Sequence, residues 1–226
     1  KDLFVVSVMP CTAKKYEIQR PELSSLDGVP DVDAVLTTRE LARMIKSAGI
    51  DLRALPEGTF DAPLGLSTGA ADIFGVTGGV TEAVIRRVLD DASPNTLQTI
   101  AECGVRGLEG IKAFTVTAGD LTIRIAVANG LANADKLIAK VESGEEQFDF
   151  IEVMACPNGC IGGGGQPPAC NKRKAERAEA IFKADEACAL RIPQQNPDLG
   201  YVYDTLLQGR AHELLHIHYP AHGQHS

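Results

Sequence analysis

The sequence has no tryptophan, only 5% aromatic residues and three methionines among 226 residues. Base stacking therefore has few side chains to draw on. Basic residues are also short: 22 Lys and Arg face 30 Asp and Glu, a formal charge of −8. Phosphate binding needs a basic face, so nucleic acid is excluded as the main partner. No apolar run approaches the ~20 residues that cross a bilayer. The opening Lys1-Asp2-Leu3-Phe4-Val5-Val6-Ser7-Val8 is too short and wrongly flanked for a secretory signal. These absences favour a cytoplasmic location. There is no initiator methionine, which predicts that the chain is part of something longer.

The composition that is present, 44% apolar and 23% charged, is that of a globular protein. The length allows one large domain or two small lobes, burying roughly 70% of the unfolded surface. Six cysteines stand at 11, 103, 156, 160, 170 and 188. In a chain with a proper core and no secretory signal, they point to metal or catalytic use before disulfides.

Periodicity predicts an α/β fold. Leu3 to Val8 reads as an apolar strand running into Met9-Pro10-Cys11, and Asp33 to Leu36 as a second strand. Thr37 caps a helix with Glu40 three residues on; Leu41, Met44, Ile45 and Ala48 form its apolar stripe, and Gly49 ends it. A glycine-rich stretch, Gly69 to Gly79, leads into a helix from Val80 to Leu89, with Val80, Val84, Ile85 and Val88 on one face. Ile111 to Thr117 and Leu121 to Ala128 alternate around Ala118-Gly119-Asp120, a hairpin signal. A helix from Leu131 to Val141 ends before Gly144, and Phe148 to Val153 is another apolar strand. Lys172 to Ala189 is a charged helix with a solvated face, followed by short helices after Pro193 and Pro197. Two strands thus deliver cysteine loops at their C-terminal ends, the edge where open α/β sheets bind ligands.

The richest stretch is Glu152-Val153-Met154-Ala155-Cys156-Pro157-Asn158-Gly159-Cys160, followed by Gly162 to Gly165 and Gln166-Pro167. Cys156 and Cys160 can reach one metal centre if Pro157-Asn158-Gly159 turns the chain. Thiolates suit zinc, copper(I) or iron–sulfur clusters. The glycines let backbone approach something bulky with N–H groups free to donate. The plainer reading is a pair of buried thiols beside a flexible loop. Cys11 is the natural distant partner. Lys14, three residues later, is costly to bury unless it meets an anion; otherwise it is solvated. Met9 and Met154 each precede a cysteine by two residues, and methionine packs well around an irregular group.

Met9-Pro10-Cys11-Thr12-Ala13-Lys14-Lys15-Tyr16-Glu17 resembles the second signature of the iron-only (FeFe) hydrogenases. Met154 to Cys160, continuing through Gly163-Gly164-Gly165-Gln166-Pro167, resembles the third. Ser67 to Val80 resembles the glycine-rich stretch between them, and Gln195 to Tyr219 the family's small-subunit region. The resemblance covers essentially the whole chain. It implies a C-terminal lobe of the H-cluster domain over residues 1–168 and a small-subunit-like helical tail over 169–226.

The cofactor so implied is an H-cluster, a four-iron cubane joined through a cysteine to a diiron unit with CO, CN⁻ and a bridging dithiolate. Cys11, Cys156 and Cys160 would be three of the four cubane ligands, Cys160 being shared with the diiron unit. Lys14 would donate to a cyanide with Glu17 in support. Met9 and Met154 would flank the diiron site, with Phe74 and Gly75 near it. The implied reaction is reversible reduction of protons to dihydrogen, with the cofactor carrying the hard chemistry.

One departure stands out. The family's first signature, with adjacent cysteines, is missing, and it supplies the fourth ligand and a proton-relaying thiol. A preceding segment or a partner chain is therefore expected to provide it, and the isolated chain to be inactive. A ferredoxin-like or other electron-transfer partner is also implied. Two other readings remain: an iron–sulfur assembly relative carrying ordinary clusters, and a redox or hydrogen sensor. Thr12 and Ala13 match the hydrogenase pattern, and no signalling domain is evident for a sensor. The five histidines, at 212, 216, 218, 222 and 225, read as a polar tail in which Leu214, Leu215 and Tyr219 dock, or as a zinc pair at His212 and His216. Without metal, the loops around Cys11 and Cys156 to Gln166 are expected to be loose or strained.

Overall fold

A computed structural model describes residues 2–24, 28–62, 65–91 and 93–217. The chain forms two compact units, each discontinuous in sequence. One comprises Lys1–Leu64, Gly164–Pro167 and Asp198–Ser226; the other comprises Gly65–Gly163 and Pro168–Pro197. Among the described residues no helix is long and apolar enough to cross a membrane.

In the first unit, strand β1 (Val6–Met9) pairs in parallel with β2 (Ala34–Thr37), with Val6 opposite Ala34 and Met9 opposite Thr37. The short helix α1 (Lys14–Glu17) lies between them in sequence. Helix α2 (Thr38–Ser47) follows β2 directly, and the capping box is present. Thr37 Oγ1 accepts from the Glu40 N–H at 3.2 Å, and Glu40 Oε2 accepts from the Thr37 N–H at 2.8 Å. Two corrections apply here. The β1 ladder begins at Val6 rather than Leu3, and Leu3 and Phe4 are exposed. The α2 stripe is only partly covered: Met44 is exposed and no residue of the helix is fully buried. Two strands and one ten-residue helix offer too little surface to enclose it.

The second unit begins with α3 (Gly69–Asp72), α4 (Gly79–Leu89) and α5 (Pro94–Ile100). The expected hairpin is β3 (Ile111–Ala118) and β4 (Leu121–Asn129), antiparallel, with Ala118 opposite Leu121. Helix α6 (Leu131–Glu142) then leads to β5 (Phe150–Met154), which lies parallel to β4. The sheet order is β3-β4-β5, so β4 is central, and Ile125 through Asn129 are all buried. One face packs Ile125 with Ile85, Ile100 and Val105; the other packs Ala126 and Ala128 against Ala134 and Leu137 of α6. Each large aliphatic side chain so buried contributes roughly 1.5–3 kcal/mol. Helix α7 (Asn171–Ala187) completes the unit. The last short helices are α8 (Pro197–Tyr201) and α9 (Ala211–Leu215).

One helix face differs from expectation, and α7 keeps its solvated face while burying two residues on the other. On α4, Val88 is exposed, whereas Thr81, Glu82 and Arg86 are buried with Ile85. On α7, Ala178 and Asp185 are buried. The reason is a shared ion network. Arg86 Nη1 and Nη2 donate to the two Asp185 oxygens at 2.7 and 2.8 Å, and Nη2 also donates to Glu82 Oε1 at 2.6 Å. Arg106 and Arg191 close the network on Glu82 and Asp185 respectively.

Candidate metal centre

Strand β1 ends at Met9, and the chain turns through Pro10 and Cys11 into α1. Cys11 is half-buried. Its loop is held by the end of the glycine run: the Gly165 N–H donates to Pro10 O at 2.9 Å. A Cβ on Gly165 would lie 2.8 Å from Pro10 C and 2.9 Å from Cys11 N, so only glycine allows this approach. Gly165 O in turn accepts from the Arg39 N–H at the start of α2.

Helix α1 presents Lys14 Nζ to Glu17 Oε2 at 2.5 Å. Both line a cavity of about 230 Å³ together with Met9, Ser7 and Val35. The following residue, Lys15, is tied down separately. Its Nζ donates to Val35 O at 2.7 Å and pairs with Glu40 Oε2 at 3.0 Å. The Thr37 backbone N–H and then the Lys15 ammonium hold the Glu40 carboxyl down at about 2. This anchoring of α1 through its second lysine was not read from the sequence.

In the other unit, β5 ends at Met154 and the chain enters the Cys156 loop. Cys156 is half-buried and Cys160 exposed. The turn between them uses left-handed backbone at Asn158 (φ 72°) and Gly159 (φ 86°, ψ −161°). The Gly159 conformation is essentially restricted to glycine. Loop hydrogen bonds fix the path: Gly159 N–H to Cys156 O at 3.0 Å and Gly163 N–H to Cys160 O at 2.9 Å. The Asn158 N–H donates to Asn129 Oδ1 at 3.0 Å, and its Nδ2 donates to Leu108 O at 3.1 Å. Asn158 is a non-glycine residue with positive φ in this loop, and the loop is held both by its own turns and by bonds to Asn129, Leu108 and Thr77.

The glycine-rich stretch meets this loop. A Cβ on Gly159 would lie 2.8 Å from Thr77 N, 2.9 Å from Gly75 O and 3.0 Å from Met154 Sδ. Gly75 and Met154 are therefore brought together with the Cys156 loop, and the neighbouring Phe74 is half-exposed.

Beneath them are two buried charges that the sequence did not single out. Glu152 accepts from the Gly78 N–H at 2.7 Å, from the Thr81 N–H at 2.8 Å and from Thr81 Oγ1 at 2.7 Å. Its negative charge sits where the α4 N-terminus presents unpaired N–H groups. Lys112 Nζ donates to the carbonyls of Thr77, Val105 and Gly107. Burial pushes the Lys112 ammonium below its usual range, against the pull of Glu152.

The remaining cysteines lie apart from this loop in their bonding. Burial pushes the Cys103 and Cys188 thiols up, and Cys188 donates to Asp72 Oδ2 at 3.3 Å. Cys170 precedes α7 and is exposed. The His212 and His216 rings lie 4.5 Å apart. His218, Tyr219, His222 and His225 fall outside the described residues. Among the described residues no three His, Cys, Asp or Glu side chains are gathered as a single-ion site.

Comparison with known proteins places these features. Residues 1–164 match the family model of the C-terminal domain of the iron only hydrogenase large subunit, and residues 171–222 match that of the iron hydrogenase small subunit. The chain is 49% identical over 223 residues to the NADP-reducing hydrogenase subunit HndD of Solidesulfovibrio fructosivorans, covering 96% of this chain and 38% of that one. It is 50% identical over 167 residues to the periplasmic Fe hydrogenase large subunit of Nitratidesulfovibrio vulgaris, covering 74% and 39%. An FeFe-hydrogenase structure from Chlamydomonas reinhardtii superposes with a TM-score of 0.75 at 37% identity, covering 98% of this chain and 64% of that chain. More distantly, the cytosolic iron-sulfur assembly component 3 of Mus musculus is 30% identical, covering 97% and 48%. The chain thus spans about two fifths of the length of the most similar of these curated relatives. With both signature loops, the glycine-rich stretch and the tail all matched, the chain belongs to the family defined by the C-terminal domain of the iron-only hydrogenase large subunit, and an iron hydrogenase small-subunit region follows that domain.

Proposed function

We propose that this chain is part of an FeFe hydrogenase that reversibly reduces protons to dihydrogen at an H-cluster. One observation carries the reading: Met9, Lys14 and Glu17, singled out together by resemblance, line one cavity directly after the Cys11 turn. The residues fit the group. Cys11, Cys156 and Cys160 are unbridged thiols suited to iron. Gly159 and Gly165 hold backbone closer than any Cβ allows. Among the described residues Thr77, whose N–H bonds the Cys156 loop at Asn158 O, leaves its buried hydroxyl without a partner.

In this reading Cys11, Cys156 and Cys160 bind the cubane, with Cys160 shared with the diiron unit. The remaining ligand comes from a preceding segment or a partner chain. Lys14 donates to a cyanide, and Glu17 keeps its ammonium oriented. Met9 and Met154 wall the diiron side, with Phe74 and Gly75 close by. When bound, the cluster supplies the electron-transfer and hydrogen chemistry. The protein side chains orient it and exclude water.

The division into 1–168 and 169–226 is one of ancestry, supported by the two family matches. We assign the protein to the cytoplasm, with a ferredoxin-like or other electron-transfer partner and no role in binding nucleic acid. The chain by itself, lacking the adjacent-cysteine signature, is inactive.

The test is anaerobic iron and sulfide analysis with infrared spectroscopy over the CO and CN⁻ region. It is made on this chain together with whatever segment or partner chain supplies the adjacent-cysteine signature, after maturation. Sharp CO and CN⁻ bands are expected, with hydrogen turnover separating an enzyme from a sensor. A cubane's iron and sulfide without those bands points to the assembly-type relative. Absence of iron overturns the cluster assignment.

A further inference from the structure

Among the described residues of the second unit, the hydrogen bonding leaves three buried side-chain atoms unused, Thr77 Oγ1, Arg86 Nε and Gln194 Oε1, and of these residues Thr77 is the one that contacts the Cys156 loop. The residue is 1% exposed, and among the described residues its Oγ1 has no partner. Its backbone, by contrast, is pinned on both sides. The N–H donates to Asn158 O at 3.3 Å, and the carbonyl accepts from Lys112 Nζ at 3.2 Å. The next residue, Gly78, is left-handed (φ 88°) and donates its N–H to Glu152 Oε1. A Cβ there would strike Val105 O at 2.2 Å. The backbone of Thr77 is thus held in place, and its side chain is closed off from solvent.

Buried hydroxyls are nearly always satisfied, and leaving one unmade costs stability. Valine would fill the same space without that cost, so a threonine here needs a partner from outside the chain's own polar groups. The loop that Thr77 contacts is the one carrying Cys156 and Cys160. The Cβ position of Gly159 lies 2.8 Å from Thr77 N and 3.0 Å from Met154 Sδ. Gly75 O and Met154 Sδ line that side, and an iron–sulfur group held by Cys156 and Cys160 would add sulfur acceptors to it.

We infer that the Thr77 hydroxyl donates a hydrogen bond to a sulfur of the iron–sulfur group held by Cys156 and Cys160, and so sets its reduction potential. This rests on the cluster reading above. A donor to sulfur stabilises the reduced, more negative state and raises the potential. Thr77 contributes no ligand; Lys112 and Glu152 act through it by fixing its backbone.

The test compares wild type, Thr77→Val and Thr77→Ser in this chain together with whatever segment or partner chain supplies the adjacent-cysteine signature, before and after cluster loading. Before loading, Thr77→Val is expected to leave the unfolding midpoint unchanged or raise it, because it removes an unsatisfied group. After loading, redox titration followed by electron paramagnetic resonance is expected to give a lower potential in Thr77→Val, with Thr77→Ser returned to the wild-type value. A loaded cluster whose potential does not move in Thr77→Val overturns the inference alone. So does a fall in the midpoint before loading, which places the partner in the protein or in a buried water. If the wild type takes up no iron and sulfide, the cluster reading falls and this inference falls with it.

Discussion

Arg86 and Asp185, ninety-nine positions apart, form a two-pronged ion pair with both side chains fully buried. It joins α4, which follows the glycine-rich stretch, to α7, which lies in the small-subunit match. Breaking a buried pair leaves a charge uncompensated at a cost of roughly 3–5 kcal/mol. Glu82 still neutralises part of Arg86, so Asp185→Asn is expected near ~3 kcal/mol. Urea unfolding at neutral pH measures it.

The same pair dictates an acid dependence. Burial alone raises the Asp185 carboxyl, but hydrogen bonds from Arg86 and Arg191 outweigh it and hold the group below its ordinary range. Its stabilisation is therefore full above the unfolded carboxylate value of about 4 and is lost as pH falls through the lower folded value. Wild type should lose this increment on acidification, and Asp185→Asn should not. Unfolding midpoints across pH 2–7 (on the order of one point per unit) decide it.

Thr37 caps α2 and also donates to Glu40, which in turn holds Lys15. Thr37→Ala is expected to cost ~1 kcal/mol, a typical loss for a helix cap. The Glu40 carboxyl, at about 2 in the wild type, should titrate at higher pH in this variant, since the Thr37 hydroxyl bond is gone. Carboxyl chemical shifts followed through acid titration give the value directly.

Gly159 adopts backbone that costs other residues about 1–3 kcal/mol. Its added methyl would also meet Thr77 N and Gly75 O. Gly159→Ala is therefore expected to destabilise the second unit by ~2 kcal/mol or more. It should also lower iron uptake at Cys156 and Cys160. Thermal unfolding and iron content are the two measurements.

Lys14 and Glu17 are both partly exposed, and such a pair is worth about 0–1 kcal/mol. Lys14→Met should leave stability within ~1 kcal/mol of wild type. If the reading proposed above holds, hydrogen turnover of the matured enzyme, this chain together with whatever supplies the adjacent-cysteine signature, should fall by ~100-fold or more, the loss typical of removing one preorganised donor. Unfolding midpoint and gas evolution, measured side by side, separate the two effects.

What could be read in advance was whatever depends on near neighbours. The Thr37–Glu40 box spans three residues, and the β3–β4 hairpin closes around Gly119-Asp120. The Asn158-Gly159 turn is equally local, and Met9, Lys14 and Glu17 stand within nine positions of one another. The buried face of α4 and the buried Asp185 on α7 are not legible for the opposite reason. Lys172 to Ala189 reads as a charged helix with a solvated face, and nothing near Asp185 announces that an arginine ninety-nine residues earlier will pair with it in the interior.

The sequence by itself determined the signature loops, the strands that deliver them and the chemistry those thiols suit. Each follows from residue type and short spacing, which act before the chain is packed. Only the tertiary structure decided that Glu152 and Lys112 would be buried charges, that Gly75 and Met154 would meet at Gly159, and that Thr77 would keep an unspent hydroxyl. Burial and hydrogen-bond satisfaction belong to pairs of groups brought together across many residues. A group's partner, or the lack of one, exists only once the chain has closed around it.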